Sequence, residues 1–370
     1  MISPENQTPG HGARLDRQAA LKILVRTPLG ELMALAHAER MRRHPQLRVT
    51  FVFDTNPNYT NICVTGCRFC AFCRSPRDPE GYTLTPEEVA ARVRKAADAG
   101  ATTVLLQGGH NPAVGLADWL AYIRAIKAAA PGIHIHPFSP AEYVFMAQTE
   151  QCAVRDVLAA VYAEGVRTIP GGGAEILTEG VRQRIAPGKA TTEQWLAVCR
   201  EAHLMGFRTT ATMMFGHVES DEDIVDHLLA LRELQDETRG FTSFIPWSFK
   251  PGNTPLGRQV TRGVHPAKYV RIIALARLVL DNFDHVQSSW FSENVAAGQL
   301  GLLGGADDFG GILVEENVLQ QAGHQRTTTA ENVKTIIRRA GFIPAQRDSF
   351  YTVLETFSGP ESLGIGFVED

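Results

Sequence analysis

The chain has 370 residues, 44% of them hydrophobic and 21% charged, with a formal net charge of −4. That balance suits an ordinary globular domain and gives no electrostatic basis for gripping nucleic acid or an anionic membrane. No apolar run approaches the roughly 20 residues that span a bilayer. The N-terminal stretch MISPENQTPGHGARLDRQ lacks the apolar core of a signal peptide, and six cysteines with four clustered do not read as a secreted disulfide framework. A cytoplasmic protein with reduced thiols is expected.

Residues 1–13 are rich in Pro, Gly and polar side chains and read as a frayed lead-in. Leu15 to Arg43 has helical apolar spacing (Leu21, Leu24, Leu32, Leu35) broken near Pro28, which predicts two short helices. From there strand-like and helix-like segments alternate. Val49–Phe53 leads through a cysteine-bearing loop to a helix ending at Ala99, opened by Thr85, Pro86 and Glu88. Thr103–Leu106 is followed by Gln107-Gly108-Gly109-His110 and a helix to about Ala129; Ile133–Phe138 is followed by a helix after Pro140. Arg167–Ile169 leads into Pro170-Gly-Gly-Gly-Ala-Glu175 and, later, a helix opened at Thr192. Thr209–Phe215 leads into Gly216-His217-Val218-Glu219 and a helix from Asp221 to Gln235. Phe241–Phe249 precedes a Pro/Gly loop and a helix from about Pro266 to Leu280. Val286–Trp290 precedes a helix to about Leu303, and a short eighth strand falls around Asp307–Gly310 with helix after it.

Eight such units in about 260 residues match an α/β fold of the (βα)8, TIM-barrel type, and short apolar strands suit a buried parallel sheet. A spacing of about 34 residues is also solenoid-like, but no repeated motif accompanies it. The expected organisation is an N-terminal helical extension over 1–47, a barrel over 48–340 and a C-terminal tail over 341–370 packed on the same domain.

In a barrel the loops after the strands converge on one face, where catalytic groups sit, and this chain puts its unusual residues there. After the first strand comes Cys63-Val-Thr-Gly-Cys67-Arg-Phe69-Cys70, a C-x3-C-x2-C run. Three thiolates can ligate three irons of a cubane 4Fe–4S cluster and leave the fourth open. Cys73 adds a further C-x2-C step, so a four-cysteine zinc knot is the competing reading, though the spacing lacks the hairpin that separates paired zinc ligands. Gly108 and Gly109 either let a ligand reach the backbone or make a plain turn. Gly171–Gly173 lacks the order of a dinucleotide fingerprint. Glu142 and Glu175 can accept hydrogen bonds from ribose hydroxyls, and Glu142 can equally cap a helix. His217 is a candidate acid/base or a structural hydrogen bonder. Asp307 either orients a substrate or starts a helix, while Trp247, Ser288 and Trp290 are candidate pocket walls. Cys152 and Cys199 read as inert thiols.

The C-x3-C-x-aromatic-C spacing at the first strand of an α/β chain resembles the radical S-adenosylmethionine (SAM) superfamily. The resemblance implies Cys63, Cys67 and Cys70 as cluster ligands, SAM at the open iron, and Phe69 close to its adenine. With it, Gln107, Gly108, Gly109, Ser139, Glu142 and Glu175 are the candidate cofactor contacts. The chain has Gly-Gly-His where that superfamily has Gly-Gly-Glu, so only the glycine backbone role carries over. From about residue 48 to 351, NYTNICVTGCRFCAF, LLQGGHNP, HIHPFSPAE, IPGGGAEIL, TTATMMFGHVE, HLLALRELQDETRGF, FIPWSFKPGNTPL and EENV look like the futalosine-pathway enzymes of menaquinone biosynthesis. Within that group LLQGG, FSP, FIPW-x-F-x-PGNTPL and GFIPAQRD are similar to cyclic dehypoxanthine futalosine synthases, while PGGGAEI, GH-x-E and RELQDET are shared with aminofutalosine synthases. The first resemblance implies hydrogen abstraction from a ribose C4′ of dehypoxanthine futalosine, ring closure on its arene, and loss of an electron and a proton. His217 and Glu219 are the candidate bases for that proton, and Trp247, Ser288, Trp290 and Asp307 the candidate substrate contacts. The second implies addition of the adenosyl radical to an enol ether. Either needs an external electron donor such as flavodoxin or ferredoxin. A reading of another class is a non-catalytic iron–sulfur or zinc module closed by Cys73, where relatives carry an aromatic.

Overall fold

The structure, a computed structural model, describes residues 14–313, 317–323 and 328–359; the N-terminal lead-in, the last residues of the tail, and Glu315 and Glu316 of the EENV stretch lie outside the described residues. Two helices, α1 (Arg17–Arg26) and α2 (Leu29–Arg43), part at Thr27-Pro28 as the proline requires. Then follow β1 (Arg48–Thr55), α3 (Pro86–Asp98), β2 (Thr103–Leu106), α4 (Leu116–Ala129), β3 (His134–Pro137), α5 (Pro140–Thr149), α6 (Val154–Ala163), β4 (Thr168–Ile169), α7 (Glu179–Ile185), α8 (Thr192–Leu204), β5 (Arg208–Phe215) and α9 (Asp221–Thr238). The chain continues through β6 (Phe241–Ser248), α10 (Pro266–Val279), β7 (His285–Val286), α11 (Val295–Leu303), β8 (Asp308–Leu313), α12 (Val318–Gln321) and α13 (Ala330–Arg339), and ends in β9 (Ile343–Arg347) and β10 (Val353–Thr356). Among the described residues no helix is long and apolar enough to cross a membrane.

The start of α3 is the box anticipated from sequence: Glu88 N donates to Thr85 Oγ1 at 3.2 Å and Thr85 N to Glu88 Oε2 at 2.8 Å. Two helices follow β3 where one was expected, because Gln151 turns to φ 52° and ends α5. The helix α7 was not anticipated; at seven residues it is too short to carry a periodic signal. Strand β7 is shorter than expected, and β8 is longer, its apolar pattern masked by Gly310 and Gly311.

The eight parallel strands form two hydrogen-bonded sectors, β8-β1-β2-β3 and β4-β5-β6-β7. The Gln287↔Asp308 bridge joins β7 to β8. At the other seam Thr168 Oγ1 of β4 lies 2.6 Å from His134 Nε2 and 2.7 Å from His136 Nδ1 of β3. The result is a (βα)8 barrel. The apolar core falls into two clusters that cross the seams between the sectors. Trp119, Phe138 and Val93 belong to one, which also takes Ile169 of β4; Trp195, Phe244 and Ile272 belong to the other, which also takes Phe51 of β1 and Phe309 of β8. Burying each such side chain is worth about 1.5–3 kcal/mol.

The tail does more than lie on the outside. Strand β9 pairs with the first half of β1 in parallel (Arg48↔Ile343 to Phe51↔Gln346), and β10 returns antiparallel to β9. The turn between them stands against the first residues of three barrel strands. Ser349 Oγ is 3.2 Å from Thr103 Oγ1, the Phe350 ring is 5.2 Å from His134, and Tyr351 stacks on His285 at 4.0 Å. The tail is the floor of the barrel.

Candidate active site

A cavity of about 450 Å³ runs inside the barrel from the cysteine loop above to Arg347, Ser349 and Tyr351 of the tail below. The loop is held by its backbone. Cys63 N donates to Arg74 O at 2.9 Å, Val64 N to His110 O at 3.0 Å, and Arg68 N to Ile185 O at 2.8 Å. Gly66 supplies the turn, at φ 68°. A Cβ on Gly108 would stand 2.6 Å from the Tyr59 ring, and one on Gly109 would stand 2.2 Å from Ile62 O. These glycines therefore let the loop after β2 lie directly on the cysteine loop; the close approach is made by the protein's own chain.

Cys63, Cys67, Cys70 and Cys73 all line the cavity. Burial pushes the Cys67 thiol up to about 12 and raises Cys70 as well. A hydrogen bond shared with Cys73 pushes Cys63 down to about 5 and raises Cys73. The described residues hold one group of three ligand atoms within 4.8 Å of one another, and it is His44, His285 and Asp307 on the floor. Thiols gathered on one cavity wall are the donor set that a cubane cluster takes.

The other predicted cofactor residues gather around the same opening: Phe69, Gln107, Gly108, Gly109, Ser139, Glu142 and Glu175 all face the cavity. Glu142 is buried and its oxygens are occupied. Tyr59 Oη and Gly108 N each donate to Oε1 at 3.1 Å, and Ser139 N and Oγ donate to Oε2 at 2.7 and 2.8 Å. A carboxylate offers about four acceptor sites, so Glu142 ties the loops after β1, β2 and β3 together. Burial raises its pKa against these donors. Glu175, at φ 47°, accepts from Lys189 Nζ at 2.8 Å. The Lys189 ammonium sits 5.4 Å over the Phe69 ring; burial lowers its pKa, but Glu175 and then Cys67 outweigh that and hold it raised.

Five predicted residues stand elsewhere. His217 and Glu219 are not on the cavity; their side chains are buried beneath the turn after β5. Glu219 accepts from Gly216 N at 2.6 Å and His217 N at 2.8 Å. His217 Nδ1 accepts from Val218 N at 2.7 Å while Nε2 lies 3.0 Å from Met214 O, and burial lowers its pKa. The pair shapes a turn. Ser288 donates to Gly298 O at 2.9 Å and Trp290 stacks on Phe309, both outside the lumen. Their neighbours Gln287, Ser289 and Phe291 line it instead, a one-residue slip that alternation turns into opposite faces. Asp307 is a floor residue held by Arg277, by His285 Nδ1 at 2.5 Å and by Val286 N at 2.9 Å. Of the predicted substrate wall only Trp247 lines the cavity.

Sequence reasoning passed over Asp54, Lys189, Arg347, Ser349 and Tyr351, all on the cavity. Asp54 had a legible signal: it is a carboxylate two residues after Val52 next to the apolar run Phe51–Phe53, so it shares the face of Val52. The tail residues had none, since only the pairing of β9 with β1 brings them in.

Comparison with known proteins gives the family. Residues 57–231 match the radical SAM superfamily profile, and residues 238–359 match the CofH/MqnC C-terminal region. The chain is 39% identical over 358 residues, 97% of its own length and 96% of the relative's, to cyclic dehypoxanthine futalosine synthase of Halalkalibacterium halodurans. It is 40% identical over 332 residues, 88% of its length and 90% of the relative's, to 5-amino-6-(D-ribitylamino)uracil–L-tyrosine 4-hydroxyphenyl transferase of Methanopyrus kandleri. Among solved structures it superposes on methylornithine synthase with a TM-score of 0.71 at 19% identity, over 90% of this chain and 95% of that one, a likeness of fold. The protein is a radical SAM enzyme, a class that uses a 4Fe–4S cluster and SAM. Within that class the chain belongs to the CofH/MqnC family. Membership overturns the reading of the four cysteines as a non-catalytic module.

Proposed function

We propose that this enzyme is a cyclic dehypoxanthine futalosine synthase of menaquinone biosynthesis. The observation that carries the reading is end-to-end correspondence with a synthase, 39% identity over 97% of the chain, which includes the tail that floors the cavity. Cys63, Cys67 and Cys70 hold the cluster, and Cys73 hydrogen-bonds Cys63 without being required as a ligand. Held there, the cluster and SAM would supply the one-electron chemistry that this reading needs for hydrogen abstraction from the ribose C4′ of the substrate. Phe69, Gln107, Gly108, Gly109, Ser139 and Glu175 surround the SAM, with Glu142 locking the loops that carry them. Below, Thr103, Thr210, Thr212, Gln287 and Ser289 offer hydrogen bonds to a sugar, while Trp247 and Phe291 give an apolar wall for the arene and exclude water. An external one-electron donor of the flavodoxin or ferredoxin kind reduces the enzyme.

The transferase reading has an observation of its own, the 40% identity to the Methanopyrus kandleri enzyme. Anaerobic assays of the cluster-loaded protein with SAM and a reductant separate the choices. Free 5′-deoxyadenosine and a product two hydrogens lighter than dehypoxanthine futalosine support the cyclase. Turnover only with L-tyrosine plus 5-amino-6-(D-ribitylamino)uracil makes it the transferase. An adenosyl adduct of an enol ether makes it an aminofutalosine synthase.

A further inference from the structure

We propose that Asp54 is the proton acceptor of the ring-closing reaction, receiving the arene proton that must leave once the new carbon–carbon bond has formed. The inference rests on the cyclase reading above and names the base that reading requires.

Among the described residues three acids line the cavity: Asp54, Glu142 and Glu175. Glu142 has its acceptor sites filled by four protein donors, and Glu175 is bonded to Lys189. Asp54 is 6% exposed, and its Oδ1 has no hydrogen-bond partner. Room for that oxygen is made by Gly311 on β8, where a Cβ would stand 2.4 Å from Asp54 Oδ1. An unsatisfied buried carboxylate oxygen costs on the order of 1–3 kcal/mol or more, so a cavity-lining carboxylate with one oxygen unpartnered is a group whose proton binding a ligand in the cavity can draw on.

The other bases at hand are less suited. His110 and His136 line the cavity, but each has Nδ1 engaged at 2.7 Å, by Thr65 Oγ1 and Thr168 Oγ1 respectively, and burial drives both well below the usual histidine range. His217 and Glu219 are off the cavity. The charged groups that face Asp54 are Arg347 from β9 and Asp308 from β8, which are bonded to each other at 2.6 Å. Burial pushes Asp54 up to about 7, with Arg347 opposing. A base whose pKa lies near the working pH is the efficient one.

The step balances as follows. After closure the attacked ring carbon carries the new bond and its original hydrogen, and the ring holds one unpaired electron. The C–H bond breaks, its proton passes to the Asp54 carboxylate, and its electron pair returns to the ring. The one electron then in excess leaves to a one-electron acceptor of the iron–sulfur class, giving a product two hydrogens lighter than substrate.

The test compares wild type with Asp54→Asn and Asp54→Ala, each cluster-loaded, with SAM, reductant and dehypoxanthine futalosine under anaerobic conditions. In Asp54→Asn the iron content and 5′-deoxyadenosine formation persist while cyclised product falls by roughly 10²- to 10⁴-fold. Added formate restores part of the product in Asp54→Ala. Infrared titration of the resting protein gives a second readout: a protonated-carboxyl band that disappears near neutral pH in wild type and is missing in Asp54→Asn. Undiminished product in Asp54→Asn overturns the proposal, as does joint loss of iron, SAM cleavage and product without formate rescue, which marks a structural role. Wild type that cleaves SAM yet makes no cyclised product overturns the cyclase reading itself.

Discussion

The floor and the mouth of the barrel treat polar groups in opposite ways. On the floor, charge meets charge. Arg347 Nε lies 2.6 Å from Asp308 Oδ2, which also accepts from Thr50 Oγ1 at 2.6 Å, and Arg277 and His285 flank Asp307. Arg40, fully buried, donates to the carbonyls of Ala306 and Arg48 at 3.0 and 2.9 Å. Towards the mouth the groups are left open: four free thiols line the wall. Buried charge is stable where its partners are built in and reactive where they are withheld. The same 450 Å³ cavity therefore has a sealed end and a chemical end.

Replacing Cys63, Cys67 or Cys70 with alanine strikes the chemical end and has the largest effect: bound iron falls below the cubane content and SAM cleavage drops to background. Cys73→Ser keeps both, as iron analysis and 5′-deoxyadenosine release will register; loss of iron in Cys73→Ser would make the loop a four-thiol site. Arg347→Ala strikes the sealed end. It leaves Asp308 buried without its countercharge and costs about 3–5 kcal/mol in denaturant unfolding; an unchanged midpoint would remove the ion pair from the account of the floor. His217→Gln gives the smallest effect, about 1 kcal/mol of stability through a lost turn hydrogen bond, with the ratio of product to 5′-deoxyadenosine unchanged. Burial holds His217 below its ordinary value of about 6.5, so the unfolded chain takes up the proton first. Its stabilising contribution is present above that pH and is lost as pH falls, so the gap between wild type and His217→Gln narrows on acidification. A product yield that collapses in His217→Gln at constant SAM cleavage would return this histidine to the chemistry.

Much of the barrel was legible because its signals are local. Pro28 splits α1 from α2, Thr85 and Glu88 open α3, and the eight-residue strands β1, β5 and β6 announce themselves by their apolar and β-branched cores. The cofactor loops were legible too, since they follow strands whose positions were already set. From the end of β5 onward, Trp247 is the one predicted site residue that faces the cavity. Strand β7 has two residues, too few to define a face, and Ser288 and Trp290 were chosen where Gln287, Ser289 and Phe291 point inward. His217 and Glu219 looked chemical because histidine and glutamate often are, but their hydrogen bonds close a turn.

By itself the sequence determined that three thiols lie within one short loop at the end of a first strand, because eight consecutive residues cannot separate them. It determined the alternation of strand and helix for the same reason, each unit being written in its own periodicity. Only the tertiary structure decided which polar side chains face one another across the lumen. The pairing of β9 with β1 and the placement of Gly311 opposite Asp54 join residues hundreds of positions apart, and closing a barrel, not any local preference, brings them together.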